Sequence, residues 1–114
     1  MVIEEQFTSL ETLLSDSDLP LLVMFYAPWC GPSHLMDTVL EQVESRMSQE
    51  LRIAKINSEA HPDLATRYHV HALPSFVLFK QKQPIGQIEV EQTEHLLSVE
   101  RFIPRLQGLL SSAS

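Results

Sequence analysis

The only cysteine of this chain, Cys30, stands between a stretch typical of a buried strand and a stretch typical of a long helix. Residues 21–27 form an unbroken apolar run of strand length, as in a central strand that is buried on both faces. Pro28 follows the run, and Gly31-Pro32 then mark a turn and fit the first turn of a helix. The pattern therefore predicts a strand-to-helix junction with Cys30 where the helix begins.

A thiol at the start of a helix has the chemistry of a nucleophile. The unpaired backbone N–H groups and the positive end of the helix dipole favour a thiolate, so we expect the pKa of Cys30 to lie below its usual value. Ser33, one turn further on, can donate its hydroxyl to the sulfur but cannot form a disulfide with it. A small buried apolar side chain is the alternative interpretation of a lone cysteine. Trp29 before Cys30 and Gly31-Pro32 after it favour the nucleophile.

Length and charge limit the classes of protein to which the chain can belong. Its 114 residues, 44% of them hydrophobic, fit one compact domain, predicted over residues 1–110 with a frayed tail over 111–114. The 8 Lys and Arg residues against 15 Asp and Glu residues give a net charge of -7, which argues against a nucleic-acid or anionic-membrane partner. A single cysteine excludes an internal disulfide and favours a reduced compartment.

The sequence also carries no recognisable export signal. Its acidic first residues lack the basic and apolar regions of a secretory signal, and the longest apolar run, residues 19–29, is too short to span a bilayer. We therefore expect a soluble protein of the cytoplasm, or of the chloroplast stroma if a transit peptide has been removed.

The apolar patterns predict alternating helices and strands along the chain. The predicted helices cover residues 4–14, 32–47, 61–68 and 94–110, the last interrupted near Pro104, and the predicted strands cover residues 21–27, 51–57, 75–79 and 85–90, with a turn over 80–84. This order indicates an α/β fold that ends in a hairpin and a helix. Right-handed crossovers then place helices on both faces of the sheet.

The sequence resembles the thioredoxin family over nearly its whole length. The resemblance lies in residues 23–32, which contain Trp29-Cys30-Gly31-Pro32, in residues 55–57, in residues 62–65 with Tyr68 and Val70, and in residues 72–80, which contain Leu73-Pro74-Ser75. It implies a thioredoxin fold, with a central mixed sheet of four to five strands and helices on both faces.

The same resemblance implies thiol–disulfide exchange with disulfides of partner proteins. Cys30 matches the attacking cysteine, and Ser33 occupies the position of the resolving cysteine, so exchange is expected to stop at a mixed disulfide unless an external thiol releases it. Pro74 matches a cis proline beside the active site, which would free the backbone of Leu73 to pair with an extended partner segment. The residues implied in substrate binding are Trp29, Gly31, Pro32, Leu73, Pro74 and Ser75. Thioredoxin reductase or glutathione is the implied electron donor, and a monomer is expected.

Several positions depart from the pattern of the family. Met24 stands where the family usually has a buried aspartate that assists proton transfer to the second cysteine, and Lys55 matches the lysine partner of that aspartate. Lys55 is therefore expected to extend outward, to find another acceptor or to lose its proton. Thr38 replaces a helix-kinking proline, which predicts a straighter helix, and Glu91 falls near a glycine of the substrate-contact loop.

Histidines near the thiol raise the alternative of a metal site. His34 lies four residues after Cys30, and His69 and His71 alternate shortly before Pro74. Nothing in this spacing requires a metal or an iron–sulfur cluster, and solvated histidines are the simpler interpretation. We therefore expect no metal and no cofactor.

Three functional hypotheses remain open at this point. In the first, the chain is a dithiol disulfide oxidoreductase of cell redox homeostasis in which Ser33 is a laboratory replacement, so its turnover is impaired. In the second, it is a natural monothiol disulfide isomerase or glutathione-dependent reductase. In the third, it is a redox-silent binding module that uses the surface around Trp29 and Pro74 as a docking groove.

Overall fold

The computed structural model describes residues 2–4, 10–15, 19–28, 31–71, 73–89 and 98–112. Within them the chain forms five strands and four helices in the order β1, α1, β2, α2, β3, α3, β4, β5, α4. The strands are β1 (Val2–Glu4), β2 (Leu21–Tyr26), β3 (Arg52–Asn57), β4 (Ser75–Lys80) and β5 (Gln83–Glu89), and the helices are α1 (Leu10–Ser15), α2 (Gly31–Met47), α3 (Pro62–Arg67) and α4 (Val99–Ser112).

One mixed sheet organises the fold, with the strand order β1-β3-β2-β4-β5. Strands β1, β3 and β2 run parallel, whereas β4 is antiparallel to β2 and β5 is antiparallel to β4. The predicted α/β thioredoxin fold with a mixed sheet is therefore confirmed.

The central strand β2 is buried on both faces because its side chains alternate between two cores. Leu22 and Met24 belong to the core beneath α2 and α4. Leu21, Val23 and Phe25 belong to the core beneath α1 and α3. Burial on both faces is the physical reason for the continuous apolar run that the sequence shows at this point.

The N-terminal prediction is wrong in one respect. A helix was expected from Glu4, but Val2–Glu4 is an edge strand that pairs in parallel with Ile53, Ala54 and Lys55 of β3. A strand this short shows no periodicity of its own, and it exists because β3 offers it backbone hydrogen-bond partners. Helix α1 begins at Leu10, and residues 5–9 lie outside the described residues.

The hairpin between β4 and β5 is tighter than predicted. Its turn consists of Gln81 and Lys82 alone, both with positive φ (54° and 68°), as in the turn that suits the twist of two-residue hairpins. The expected turn over 80–84 is therefore too long, since Pro84 already belongs to β5. Proline is tolerated there because β5 is an edge strand, and the register shifts beside it, opposite Leu78 and Phe79.

Helix α4 continues through Pro104 without the predicted interruption and reaches Ser112, beyond the expected start of the tail at Ser111. Phe102 and Leu106, on either side of the proline, are both fully buried against the sheet. This packing compensates for the hydrogen bond that Pro104 cannot donate. Among the described residues, none of the helices combines the length and the apolar character that a bilayer crossing requires.

Candidate active site

The predicted junction between strand and helix is present around the cysteine. Strand β2 ends at Tyr26 and helix α2 begins at Gly31, so the residue that follows Cys30 in the chain is the first of the helix. Trp29 and Cys30 themselves lie outside the described residues. Pro32 and Ser33 are the second and third residues of α2, as a proline in the first helical turn favours.

The sheet register brings the segment Leu73–Pro74 to the same end of the sheet as this junction. Ser75, the first residue of β4, pairs with Phe25, the penultimate residue of β2, in the antiparallel ladder. The peptide bond between Leu73 and Pro74 is cis. Residues distant in sequence therefore meet at one end of the sheet, next to the start of α2.

The residues of this segment differ in how far solvent reaches them. Leu73 is half-buried and Pro74 is buried. Ser75 is fully buried, with 0% of its surface exposed, so its side chain is not part of the surface that a partner would meet. Ala72 and the predicted rim residue Glu91 lie outside the described residues.

Lys55 finds an acceptor on α2 that sequence reasoning did not identify. Its Nζ donates to Oδ1 of Asp37 at 2.7 Å. The side chains of the lysine and the aspartate are 16% and 36% exposed, so the pair is partly shielded from water. The same Nζ lies 4.7 Å from the centroid of the Tyr26 ring, within the range of a cation–π contact.

Met24 lies beside this pair on the sheet. It is fully buried (0% exposed) and is the register partner of Lys55 between the parallel strands β2 and β3. The acidic side chain that neutralises the lysine therefore comes from the helix above the sheet and not from the neighbouring strand. No local sequence signal identifies Asp37 as this partner, because the packing of α2 on the sheet brings together two residues that lie 18 positions apart.

The carboxyl end of β3 lies beside the carboxyl end of β2, which leads into the junction with α2. The Ser58 N–H donates to the Tyr26 carbonyl at 2.8 Å, which holds the ends of β2 and β3 together. Oδ1 of Asn57 accepts from the backbone N–H groups of Glu59 (2.9 Å) and Ala60 (3.4 Å) and so fixes the turn into α3. In the described part of the chain, Oγ of Ser58 is buried without a hydrogen-bond partner.

The histidines considered as metal ligands do not form a described cluster. His69 and His71 are both exposed, with ring centroids 6.5 Å apart. Among the described residues, no group of three or more His, Cys, Asp or Glu side chains is arranged to hold a metal ion. His34 lies in α2, but its side chain is outside the described part of the structure.

Comparison with known proteins agrees with this architecture. The family model described as Thioredoxin matches residues 1–101. A thioredoxin-like protein of Synechocystis sp. is 42% identical over 98 residues, which cover 85% of this chain and 93% of that protein. The chloroplastic thioredoxin Y1 of Arabidopsis thaliana is 36% identical over 107 residues, which cover 94% of this chain and 59% of the plant protein.

The chloroplastic thioredoxin Y of Oryza sativa subsp. japonica is 34% identical over 106 residues, which cover 86% of this chain and 63% of the rice protein. The chain thus spans less than two thirds of the length of these two plant relatives. The match over residues 1–101, the mixed sheet and the helix that begins after Cys30 lead to one conclusion: the chain belongs to the thioredoxin family and is a thioredoxin-like redox protein.

Proposed function

We propose that the chain is a natural monothiol enzyme of this family, in which Cys30 forms a mixed disulfide with a substrate and a small external thiol such as glutathione completes the reaction. The residues assigned to substrate contact are Trp29, Gly31, Pro32, Leu73 and Pro74. Ser75 is assigned to the support of the strand start, because its side chain is fully buried.

The reaction balances with the external thiol as reductant. The Cys30 thiolate attacks one sulfur of a substrate disulfide; the S–S bond breaks, a mixed disulfide forms and the other sulfur leaves as a thiolate. A thiolate of the small thiol then attacks the mixed disulfide and releases Cys30. A second molecule of the small thiol reduces the disulfide formed in that step, so two thiols are oxidised for each disulfide reduced.

The observation that supports a natural monothiol is the charge arrangement around Lys55. A laboratory replacement at Ser33 alone would change one atom and leave the rest of a dithiol site as it was. Here the buried acid expected in a dithiol member is also absent, because Met24 is apolar and fully buried. Lys55 has a different anion, Asp37, at 2.7 Å. A site without a resolving thiol has no second sulfur for a buried acid to serve.

Turnover of a glutathionylated peptide tests the proposal. With excess glutathione, the chain should release free peptide continuously over many equivalents of protein. Cys30→Ser should abolish turnover, whereas Ser33→Ala, the matched control, should retain it because Ser33 supplies no sulfur. A single burst equal to the amount of protein, followed by no further release, would contradict a catalytic monothiol.

Ser33→Cys separates the proposal from the dithiol hypothesis. If the unmodified chain shows no turnover but Ser33→Cys reduces a model protein disulfide with thioredoxin reductase, Ser33 is a replacement of a resolving cysteine. Capture of a partner that persists in Cys30→Ala and under reductant would instead assign the surface to a redox-silent binding module.

A further inference from the structure

A cavity of about 390 Å³ lies on the sheet face that carries α3, and its described lining residues are not among those assigned to the candidate active site. Its volume falls in the range of sites for small molecules, roughly 300–1,000 Å³. The residues that line it and carry the argument are Arg67, Tyr68, His69, Val77, Pro84 and Gln87. They come from the end of α3, the segment after it and the two strands of the hairpin.

The floor of the cavity is apolar and held in place by packing. Val77 is buried (2% exposed), and the half-buried Tyr68 packs its ring edge-on against Phe79 at a centroid distance of 5.1 Å. Pro84 adds a rigid apolar wall from β5. A flat apolar group could lie against these three side chains.

The rim of the cavity is polar. His69 lies on it with a backbone conformation that is uncommon for residues other than glycine. Its φ of 57° lies in the left-handed region, which costs an L-residue with a Cβ atom but not glycine. The His69 N–H donates to the Thr66 carbonyl at 3.2 Å and the Val70 N–H to the Ala65 carbonyl at 2.9 Å. This is the helix-end motif in which glycine is usual at the position of His69.

A hydrogen bond spans the rim. Nε2 of Gln87 on β5 donates to the His69 carbonyl at 3.4 Å, so the helix end and the edge strand form one structure. Arg67 and His69 supply N–H donors to the rim. A guanidinium group favours carboxylate and phosphate, which it can bind with two parallel hydrogen bonds.

We propose that this cavity binds a small organic anion, in which a carboxylate or phosphate contacts Arg67 and His69 and a flat apolar body lies against Tyr68, Val77 and Pro84. None of the residues proposed to contact this anion is among those assigned to the reaction of Cys30. The polar rim thus binds the anionic group of the ligand, and the apolar floor binds its apolar body.

NMR titration of the ¹⁵N-labelled chain with phenyl phosphate and with benzoate tests the proposal. Saturable shifts are expected at the amides of Tyr68, His69 and Gln87, with binding about tenfold tighter than that of benzyl alcohol, which lacks the charge. Inorganic phosphate should also bind more weakly, because it lacks the apolar body. Equal binding of inorganic phosphate and phenyl phosphate would overturn the assignment of the apolar floor.

Two variants test the rim directly. Arg67→Gln should weaken binding of phenyl phosphate about tenfold, whereas Arg101→Gln, the matched control at an exposed arginine of α4, should leave it unchanged. His69→Gly keeps the helix-end conformation and removes the imidazole, so it should weaken binding without unfolding the chain. Absence of saturable shifts in the unmodified chain, or equal affinity in Arg67→Gln, would overturn the proposal.

Discussion

The two faces of β2 and β3 differ in the chemistry that they admit. On the face beneath α1 and α3, neighbouring positions of the two strands are apolar and buried: Val23, Phe25, Ala54 and Ile56. On the face beneath α2, Met24 lies beside Lys55, whose Nζ is 2.7 Å from Oδ1 of Asp37. Charge is accommodated on the sheet where α2 provides a counter-charge.

This difference has a physical reason. A buried charge without a partner is unstable, so a lysine on the α1 and α3 face would have only apolar neighbours. Beneath α2, Lys55 retains 16% exposure, an ion pair and the Tyr26 ring at 4.7 Å. The cost of partial dehydration is therefore offset by these two contacts and by the remaining exposure to water. The position of a charge in this sheet therefore depends on the helix that covers it.

The largest expected effect comes from placing an acid on each face in turn. Val23→Asp should destabilise the fold by about 4 kcal/mol or more, because its register partners Ala54 and Val77 are apolar. Met24→Asp should cost less, because its register partner is Lys55. Urea unfolding of both variants measures the difference, and equal losses of stability would break the comparison between the faces.

The ion pair itself should contribute less than the burial of apolar side chains. Because both side chains are partly exposed, we expect a coupling of about 1 kcal/mol between Asp37 and Lys55. A double-mutant cycle with Asp37→Asn, Lys55→Met and the double variant measures it by urea unfolding. The exposed pair Arg46 and Glu100, 4.0 Å apart, is the matched control and should show a smaller coupling. A coupling no larger than that of the control would contradict a role for partial burial.

A smaller change in stability is expected at the end of α3, where His69 has a positive φ. His69→Gly should stabilise the chain by about 0.5 kcal/mol, since relief of the positive φ exceeds the entropy that glycine loses on folding. Thr66→Gly, at an exposed position inside α3, is the matched control and should destabilise by about 0.5–1 kcal/mol. Thermal unfolding distinguishes the signs, and a loss of stability in His69→Gly would mean that the imidazole makes contacts that outweigh the strain.

Local patterns in the sequence predict some elements of this fold but not others. The apolar run of β2 and the helix that begins at Gly31 follow from local patterns, because burial on both faces and proline at a helix start leave clear signatures. The cis bond before Pro74 was expected from the resemblance to a family and from no pattern in the residues.

Other features depend on contacts between distant parts of the chain. The ion pair of Asp37 and Lys55 joins residues 18 positions apart. It forms because of the register of β2 with β3 and the packing of α2 on the sheet. Strand β1 exists because β3 offers an open edge, and α4 continues through Pro104 because Phe102 and Leu106 are buried. Local helix and strand propensities do not reveal such distant partners.

The smallest expected effect links the ion pair to the thiol. Asp37 lies six residues along α2 from Gly31, about 9 Å along a helix axis, which is close to the screening length at physiological ionic strength. Lys55→Met removes the positive charge that neutralises this aspartate. The remaining negative charge should raise the pKa of Cys30 slightly and slow its alkylation at neutral pH, by less than about threefold.

Asp37→Asn should change the rate of alkylation in the opposite direction, because it leaves Lys55 as an uncompensated positive charge. The rates should converge with the unmodified chain in about 1 M salt, where the screening length falls to roughly 3 Å. Alkylation of Cys30 with a thiol-reactive dye as a function of pH measures both variants. Differences that persist in high salt would show that the variants alter the local structure around α2, and the charge on the α2 face would then act by packing and not through its field.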